Sequence, residues 1–398
     1  MNGPLAGIRV LDLNRVLAGP LAGGILADLG ADVVKVERPG NGDDLRSWGP
    51  PFAEDEVSTY FVGVNRNKHG LVADLKNPAD LDLVRGLAAK SDVVLENFKV
   101  GVADKLGLGY EELTRRNPGL VYCSISGFGQ VGPWANLPGY DLLLQAMSGL
   151  MAVTGEPEGA PMRSGVAIVD ICTGQFAVIG VLAALNARQS TGRGQKVDVS
   201  LLETALSIQP NMSAGFLVAS REPERLGNGH PNVSPYGAFP TADGHIVLAV
   251  GNDGQWERLC AAFGPDGADA RGRYPTNQTR MKDRREVESA VASWTRRCTT
   301  DELIALLSEH GVPHAPVNTI SEALRLEQVA AVGAIGTYPL GDGREVELVN
   351  LPVHLSGGQR TSRLAPPRLD APSREHLAML GLDDKAIDRY FAARQAGD

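Results

Sequence analysis

An aspartate at the start of a long apolar segment, Asp170, is the residue of this sequence best placed for covalent chemistry. It follows the strand-like apolar run of residues 166–169 and precedes a long helical pattern. The simplest interpretation is a helix N-cap, which stabilises a helix by about 1 kcal/mol. In the same position, the helix dipole and free backbone N–H groups hold a carboxylate ionised. An ionised carboxylate can attack an acyl carbon, so the two interpretations are compatible.

A set of basic residues in the first quarter of the chain forms a second candidate group, because together they can bind an anion. Several follow predicted strands, and open α/β sheets bind ligands at the carboxyl ends of their strands. Arg38 follows the strand-like run 32–37 and precedes Pro39 and Gly40, so it leaves the sheet at a fixed turn. The alternative is a solvated rim that balances the many acids. The set is Lys35, Arg38, Arg46, Arg66, Lys68, Lys76, Lys99 and Lys105.

A glycine pattern at residues 127–132 matches GxGxxG and follows a predicted strand. A dinucleotide site also needs a helix to open there, so that its N-terminus meets the pyrophosphate. Pro133 and Pro138 follow instead, which favours a loop. The pattern therefore predicts a glycine-rich turn that leaves the sheet.

Two histidines, His310 and His314, have the spacing of zinc ligands on one helical face. Gly311 and Pro313 lie between them and would break that helix, which favours a helix end followed by a turn. The sequence has no GxSxG motif and no Cys/His arrangement typical of a hydrolase. We therefore predict no metal site and no hydrolase triad.

The composition bounds the class of protein. The 398 residues are 43% hydrophobic and 21% charged, which excludes a disordered or fibrous chain. A net charge of −9 argues against nucleic acid or an anionic membrane as a partner. Four cysteines without a CxxC pair, and no signal-peptide pattern, predict a cytoplasmic protein. The longest apolar run, residues 176–185, is about half of what crosses a bilayer.

Strands and helices alternate in the first third of the chain. Short β-branched runs separated by helical patterns indicate βαβ units around a parallel sheet, with helices on both faces. The sequence therefore predicts an α/β fold for this part. The predicted strands are 8–13, 32–37, 71–75, 92–97 and 120–126, and the predicted helices are 20–29, 79–89 and 110–116.

The rest of the chain changes character twice. Three long apolar helices are predicted at 140–152, 173–188 and 201–218, followed by a smaller α+β domain with a hairpin at 236–250. A second hairpin, a Pro-rich return segment at 364–373 and a helical tail close the chain. The predicted domains are a large domain over 1–205, a linker helix over 206–226, a small α+β domain over 227–325 and a return segment over 326–398 that completes the large domain.

Several motifs along the chain resemble those of the class III CoA-transferases. They are PLAGIRVLDLNRVLAGP at 4–20, GADVVKVERPGNGDDLRSWGPPF at 30–52, VNRNKHGLVADLK at 64–76, ENF at 96–98, GYD at 139–141, the Asp170 segment and TGRGQKVDVSLLETAL at 191–206. The similarity runs over essentially the whole length. Within the family, it is greatest for the branch that uses succinyl-CoA and glutarate.

This resemblance implies a fold and a site. The family has a Rossmann-like large domain built from both chain ends, a small α/β domain, and two chains interlocked as a homodimer. Its Asp nucleophile falls on Asp170, coenzyme A is a substrate, and no other cofactor is expected. CoA contacts fall on Arg38, Ala73, Asp74, Leu75, Lys76, Asn97, Phe98, Lys105, Gly139, Tyr140 and Asp141.

The implied reaction moves CoA from an acyl-CoA to a carboxylic acid. We expect the donor to be succinyl-CoA and the acceptor to be a dicarboxylic acid. Asp170 would form an anhydride and then an aspartyl-CoA thioester, with oxyanion donors among the backbone N–H groups that follow it. Leu17 stands where the formyl-CoA enzyme has Gln, which disfavours formyl or oxalate specificity. The region of that enzyme's tetraglycine flap reads 227–232 here, where Gly229 and His230 either meet a substrate carboxylate or shape a turn.

Two other functions remain open from the sequence. α-Methylacyl-CoA racemases belong to the same family and need a second acid/base opposite the aspartate. In that branch a His stands where this chain has Tyr140, and a phenol with a pKa near ~10 is a poor proton shuttle at neutral pH. A catalytically silent CoA-binding sensor is the third hypothesis.

Overall fold

The computed structural model describes residues 3–53, 57–356, 363–370 and 373–395. By its internal contacts the chain divides into two compact units. The first, here called the sheet unit, comprises Met1–Ser148, Ser164–Val218 and Ala331–Asp398, and the second, the insert unit, comprises Gly149–Arg163 and Ala219–Ala330. Compact units are not by themselves folding domains, so the domain boundaries stated above stay a prediction.

A six-stranded parallel sheet forms the centre of the sheet unit, in the order β3-β2-β1-β4-β5-β6. The chain adds β2 and β3 on one side of β1, then returns to place β4 on its other side. This confirms the predicted α/β fold with a parallel sheet. The strands are β1 Arg9–Asp12, β2 Asp32–Glu37, β3 His69–Val72, β4 Val93–Glu96, β5 Val121–Ser126, β6 Lys196–Ser200, β7 Tyr236–Pro240, β8 His245–Ala249, β9 His314–Pro316, β10 Ile335–Pro339 and β11 Glu345–Val349.

The central strands are hydrophobic because helices cover both of their faces. All four residues of Val93–Glu96 are buried. The edge strand β6 was not predicted, because its sequence KVDVS alternates apolar and polar residues instead of forming an apolar run. Lys196 and Asp198 are exposed, as expected for a strand at the sheet edge.

Helices flank the sheet and build most of the remaining chain. They are α1 Ala18–Asp28, α2 Thr59–Asn65, α3 Pro78–Lys90, α4 Val102–Lys105, α5 Tyr110–Arg116, α6 Asp141–Met147, α7 Leu150–Val153, α8 Ile168–Thr191, α9 Leu201–Ser207, α10 Pro210–Ala219, α11 Asp253–Ala262, α12 Gly264–Arg273, α13 Asn277–Lys282, α14 Arg284–Thr295, α15 Thr300–Glu309, α16 Ile320–Leu324, α17 Glu327–Ala331, α18 Arg374–Met379 and α19 Asp384–Gln395.

Three helix predictions in the middle of the chain were wrong in their bounds. The helix predicted at 140–152 is two helices, because Gly149 between them is left-handed, with φ +87°. The helix predicted at 201–218 also divides, because Pro210 lacks the N–H that would continue the first part. The helix predicted at 173–188 begins at Ile168 instead, so the strand-like run 166–169 is not a strand.

Helix α8 packs against α1 and against β5 and β6. Gly174 permits this packing, because a Cβ added there would lie 2.6 Å from the carbonyl oxygen of Ala18. By length and composition alone, its 24 residues are also sufficient to cross a membrane. The apolar run 176–185 is shorter than this helix, because Gln175 and Asn186 bound it on either side.

The insert unit contains the antiparallel sheet β7-β8-β9, and its first hairpin confirms the one predicted at 236–250. Helices α11 to α15 bury Trp256, Leu259, Val287 and Leu303 against this sheet. The second predicted hairpin is β10 and β11, which belong to the sheet unit.

The C-terminal segment packs onto β3 and α3 in the sheet unit. The Leu364 N–H donates to Asn67 Oδ1 at 2.8 Å, and the Arg46 guanidinium donates to the carbonyl of Pro367 at 2.7 Å. The predicted helical tail is α18 and α19, whose Tyr390 hydroxyl donates to the Val72 carbonyl at 3.1 Å. The described part of the return segment therefore belongs to the same core as the first three strands.

A buried ionic cluster joins the strands β1 and β2 to the loops around them. Lys68 Nζ donates to Asp12 Oδ2 at 2.9 Å, to Asn65 Oδ1 at 2.9 Å and to the Pro20 carbonyl at 2.7 Å. The Lys68 and Asp12 side chains have no exposed surface. Because each charge is fully paired and hydrogen-bonded, the cluster is tolerated inside the core.

Replacing Lys68 by Met should lower the free energy of unfolding by about 3–5 kcal/mol, because it leaves Asp12 as an uncompensated buried charge. The matched change at exposed Lys105 in the same unit should cost less than about 0.5 kcal/mol. Urea unfolding followed by circular dichroism measures both. Equal midpoints for the two variants would contradict a structural role for the Lys68 ion pair.

Candidate active site

A cavity of about 230 Å³ opens at the carboxyl edge of the sheet, within the sheet unit. The loops after β1, β4 and β5 line it, together with the start of α8. Between β1 and β4 the chain reverses the side on which it adds strands, and open α/β sheets bind ligands outside such a switch point. Asp170 is one of the lining residues.

Asp170 is not the N-cap of its helix, contrary to the prediction. The N-cap residue is Ala167, and Asp170 is the third residue of α8. The carboxylate of Asp141 caps this helix instead, because its Oδ1 accepts from the N–H groups of Val169 at 2.8 Å and of Asp170 at 3.3 Å. Asp170 is thereby free of a capping role and half-buried in the cavity wall.

Asp141 is itself fixed by the chain around it. It is the first residue of α6 and is buried. The Gln145 side-chain amide donates to Asp141 Oδ2 at 2.6 Å, and Gln145 Oε1 accepts from the Ser164 N–H at 2.8 Å. Both carboxylate oxygens of Asp141 therefore have donors, and α6 is held against the start of α8.

Burial raises the pKa of Asp170 to about 7, and the negative charge of Asp141 adds to this increase. The expectation that the helix start holds Asp170 ionised did not include this burial, which favours the protonated carboxyl. The same surroundings raise the pKa of Tyr60 on α2, through burial and then through the charges of Asp170 and Asp141. Sequence reasoning missed Tyr60, because its position near Asp170 depends on how α1, α2 and α8 pack.

The backbone N–H groups around Asp170 already have acceptors. Those of Val169 and Asp170 donate to Asp141, and that of Ile171, the first after Asp170, donates to the Ala167 carbonyl at 3.0 Å. Oxyanion donors among the groups that follow Asp170 stay a prediction.

The loops after β1 and β4 are tied to each other across the switch point. The Arg15 N–H donates to Asn97 Oδ1 at 3.1 Å, and the Asn97 amide donates to the Arg15 carbonyl at 2.9 Å. Phe98 is placed by Glu96, whose Oε2 accepts from the Phe98 N–H at 2.8 Å. Asn97 and Phe98 both line the cavity with Asp170.

The glycine pattern at 127–132 lies in a loop, which confirms the predicted turn. Gly127 meets Gly139 so closely that a Cβ on Gly127 would lie 2.6 Å from the Gly139 Cα. This contact brings the loop before α6 to the cavity, where Gly139 and Tyr140 form part of the wall. Tyr140 is 56% exposed.

Four of the eight candidate cations are paired inside the protein. Lys35 pairs with Asp43, Arg46 with Glu37, Arg66 with Asp28 and Lys68 with Asp12, each at 2.7 to 2.9 Å. Their inclusion in an anion-binding rim was wrong, because their charges are used by buried acids.

Lys99 is the one of the eight candidate cations that lines the cavity with Asp170. Arg38 lies beside the cavity without lining it. It is half-exposed and contacts Asp44, which lines the cavity and lies 3.9 Å from the Arg15 guanidinium. Two cations on one carboxylate leave a positive charge at this edge. Lys76, Lys99 and Lys105 are exposed.

Other predicted site residues lie away from this cavity. Ala73 and Asp74 follow β3, with the Ala73 N–H donating to the Glu37 carbonyl and the Asp74 N–H donating to Asp80. Leu75 and Lys76 continue the same turn, and Lys105 ends α4. None of these five residues lines the cavity.

Gly229 and His230 lie in the insert unit, in a turn built on Arg284. A Cβ on Gly229 would lie 1.9 Å from the Arg284 guanidinium, which itself donates to the His230 carbonyl at 2.9 Å. His230 Nδ1 accepts from the Asn232 N–H at 3.1 Å. A side chain at position 229 would therefore displace the Arg284 guanidinium, and a substrate role for Gly229 or His230 stays a prediction.

The histidine pair has the local structure that the sequence indicated. His310 follows the last residue of α15, and His314 begins β9, each with its Nδ1 near a backbone carbonyl. In the part of the chain that the structure describes, no three His, Cys, Asp or Glu side chains group as metal ligands. The predicted absence of a metal stays a prediction.

Comparison with known proteins finds similarity over nearly the whole chain. Residues 5–373 match the family described as CoA-transferase family III. A succinate–glutarate CoA-transferase of Agrobacterium fabrum is 44% identical and covers 97% of each chain. A succinyl-CoA:glutarate CoA-transferase of Mus musculus is 38% identical over 98% of this chain and 89% of that protein.

A solved structure has the same fold. The crystal structure of a CAIB/BAIF family protein from Brucella suis is 40% identical, with a TM-score of 0.81, and the match covers 96% of this chain and 99% of that one. Since the match extends over both units, the mixed α/β architecture is shared along the chain.

Replacing Asp141 by Asn should lower the pKa of Asp170 to between its ordinary value of 3.8 and about 7. The burial remains, whereas the neighbouring negative charge is lost, and an amide oxygen can still accept from the helix start. Carbon-13 NMR titration of the carboxyl, assigned with an Asp170→Asn variant, measures this pKa.

The control is Asp198→Asn on the edge strand β6, where the same charge is removed from an exposed site. The Asp170 pKa should not change in that variant. An unchanged pKa in Asp141→Asn would show that burial alone sets the value.

Proposed function

The chain belongs to CoA-transferase family III, and from that premise we propose that it moves CoA from succinyl-CoA to a second dicarboxylic acid. The relatives from Agrobacterium fabrum and Mus musculus, named for succinate or succinyl-CoA and glutarate, support this substrate class. The observation that carries the proposal is a half-buried carboxyl with a pKa near 7 in a cavity at the sheet's switch point. The family membership confirms the resemblance seen in the sequence.

The proposed mechanism uses Asp170 as a nucleophile. Its carboxylate oxygen attacks the thioester carbonyl carbon, the C–S bond breaks, and the electron pair leaves with the CoA thiolate. The thiolate then attacks the aspartyl carbonyl of the resulting anhydride and releases succinate. An aspartyl-CoA thioester remains on the enzyme.

The second half repeats these steps with the acceptor. Its carboxylate attacks the aspartyl thioester, and the CoA thiolate leaves again. The thiolate then attacks the acceptor's acyl carbon, which gives the new acyl-CoA and restores the Asp170 carboxylate. The overall reaction exchanges one thioester for another of similar energy, and the anhydrides are its high-energy intermediates. The rate therefore depends on orientation and on the exclusion of water.

The raised pKa of Asp170 fits this role. A carboxylate near pKa 7 is more basic than an ordinary aspartate, and basicity increases the nucleophilicity of an oxygen anion. It is also partly removed from water, which would otherwise hydrolyse an anhydride.

We propose that CoA binds along the carboxyl edge of the sheet. Asn97, Phe98, Gly139 and Tyr140 lie in the same cavity wall as Asp170, which supports their assignment. The remaining proposed contacts extend from this cavity toward β3 and α4. They are Arg38, Ala73, Asp74, Leu75, Lys76, Lys105 and, beside its capping role, Asp141.

The proposed assembly is an interlocked homodimer of chains with a Rossmann-like large domain. The strand order of the sheet is that of the Rossmann fold, which supports the Rossmann-like domain. An apolar face supports the homodimer, because large hydrophobic side chains of α6 and α8 are exposed on the single chain. They are Leu142, Leu143, Met147, Phe176, Ile179 and Leu182.

We further propose a cytoplasmic enzyme that has CoA as a substrate and needs no cofactor or metal. A net charge of −9 supports the absence of nucleic acid and of anionic membranes among its partners. Several residues of α8 that a membrane helix would turn to lipid pack against the sheet instead.

Replacing Asp170 by Ala or by Asn should reduce CoA transfer by on the order of 10⁴-fold or more, because both remove the nucleophile. Succinyl-CoA binding, measured by calorimetry, should change by less than about threefold, because that contact is mostly remote from the carboxyl. The assay follows new acyl-CoA by mass spectrometry with a panel of dicarboxylic acids. The panel ranks acceptors that differ by one or two atoms. Such a difference changes the free energy of transition-state binding by about 1–3 kcal/mol, which the assay can resolve.

The matched control is again Asp198→Asn, which should retain transfer. Substantial transfer by a folded Asp170→Asn variant would exclude Asp170 as the nucleophile. Deuterium uptake at the α-carbon of a branched acyl-CoA would instead indicate a racemase, and tight CoA binding without exchange would indicate a sensor.

Replacing Ile179 by Asp should prevent formation of the proposed homodimer, because a charge would be buried in the interface. Light scattering should then give the mass of the monomer, 42.1 kDa. Ile320→Asp makes the same change at an exposed residue of the insert unit and should leave the dimer intact. A wild-type protein that is monomeric at micromolar concentration would contradict the proposal.

A further inference from the structure

The cavity wall contains one residue in an unfavourable backbone conformation. Val16, in the loop between β1 and α1, has φ +68°. A β-branched residue rarely adopts this left-handed region, and it persists only where the surroundings impose it. Val16 lines the cavity that contains Asp170. The source of this constraint therefore lies next to the proposed chemistry.

The constraint comes from the carboxylate of Asp43. Its Oδ1 accepts from the Val16 N–H at 3.0 Å and from the Leu45 N–H at 3.0 Å, and its Oδ2 accepts from Lys35 Nζ at 2.9 Å. The Asp43 and Lys35 side chains have no exposed surface. Lys35 Nζ also donates to the Asn14 carbonyl at 2.9 Å. One buried ion pair is therefore hydrogen-bonded to the loop backbone on both sides of Arg15, at Asn14 and at Val16.

The position of this loop affects the start of α8 through direct packing. Leu17 and Ala18 follow Val16 and are almost completely buried. Leu17 is the N-cap of α1, and Ala18 is its first residue. The Ala18 carbonyl lies against Gly174, one turn after Asp170, without room for a Cβ. A change in the backbone at Val16 would therefore move the wall that faces Asp170, and a misplacement of about 1 Å can cost about 100-fold in rate.

We propose that Asp43 is a positioning residue for the transfer reaction: paired with Lys35, it holds Val16 left-handed and so places the wall of the Asp170 cavity. This inference rests on the proposed function, because it requires Asp170 to be the reacting group. A residue that only stabilises the fold would affect folding without a selective effect on the chemical step.

Replacing Asp43 by Ala removes the oxygen that accepts from the Val16 N–H. This variant should lower kcat by on the order of 100-fold, with the KM for succinyl-CoA within about threefold, because the geometry of reaction changes more than the binding of remote CoA. Adding Val16→Gly to Asp43→Ala should restore kcat by about tenfold or more, since glycine adopts a positive φ without steric cost. Steady-state kinetics of new acyl-CoA formation measures both.

A second variant covers the case in which Asp43→Ala does not fold. Lys35→Met combined with Asp43→Ala leaves no unpaired buried charge at this pair, and it should show the same loss of kcat and the same recovery with Val16→Gly. The matched control is Asp28→Ala, which breaks a comparable buried pair with Arg66 away from the cavity. Its kcat should stay within about twofold of wild type.

The outcomes separate this inference from the proposed function. A wild-type protein without CoA transfer would overturn the proposed function itself. A wild type that transfers CoA, together with unchanged kcat in folded Asp43→Ala, would overturn the positioning role alone. A loss of kcat that Val16→Gly does not recover would assign Asp43 to fold stability instead.

Discussion

The hydrogen bonds from the first turn of α8 to Asp141 determine the rest of the site. They place the helix start at Ile168, so that Asp170 lies in the first turn and not before it. They also put a second carboxylate beside Asp170, which adds to the effect of burial on its pKa. A cap stabilises a helix by about 1 kcal/mol, while the neighbouring charge makes ionisation of Asp170 harder. The same contact thus stabilises the helix and tunes the reactive group.

The polar motifs at the start of the chain serve mainly to hold the loops around that site. Asp12, Lys35, Asp43 and Lys68 form ion pairs without exposed surface, and their donors and acceptors fix the loop between β1 and α1. Buried ion pairs contribute little net stability relative to apolar packing. Here the ion pairs fix the conformation of the loop, because their hydrogen bonds to its backbone form in only one arrangement.

Local patterns in the sequence were sufficient for most of the fold. Buried strands such as Asp32–Glu37 carry an apolar run, and helix ends such as that of Tyr110–Arg116 follow from local capping and turn residues. The edge strand β6 could not be found in this way, because a half-exposed strand has a pattern shared with many loops. The breaks at Gly149 and Pro210 were visible as residues, although a long apolar pattern outweighed them.

The site was less predictable, because its decisive contacts join residues far apart in the chain. Asp141 and Asp170 are 29 positions apart, and Lys68 and Asp12 are 56 apart. A sequence shows a charge without showing its partner, so Lys35 and Lys68 resembled ligands of an anion. The importance of Asp170 was visible from its place at the start of a long apolar pattern and from the family motifs. The increase in its pKa depends on packing that the sequence does not show.

Chemical trapping at position 170 tests the central claim most directly. The protein is incubated with succinyl-CoA in the absence of an acceptor, then treated with borohydride, which reduces a thioester of an aspartate to the alcohol of homoserine. Peptide mapping by mass spectrometry should find homoserine in place of Asp170, and only when succinyl-CoA is present. An active preparation that gives unmodified Asp170, or homoserine at another aspartate, would contradict covalent catalysis by this residue.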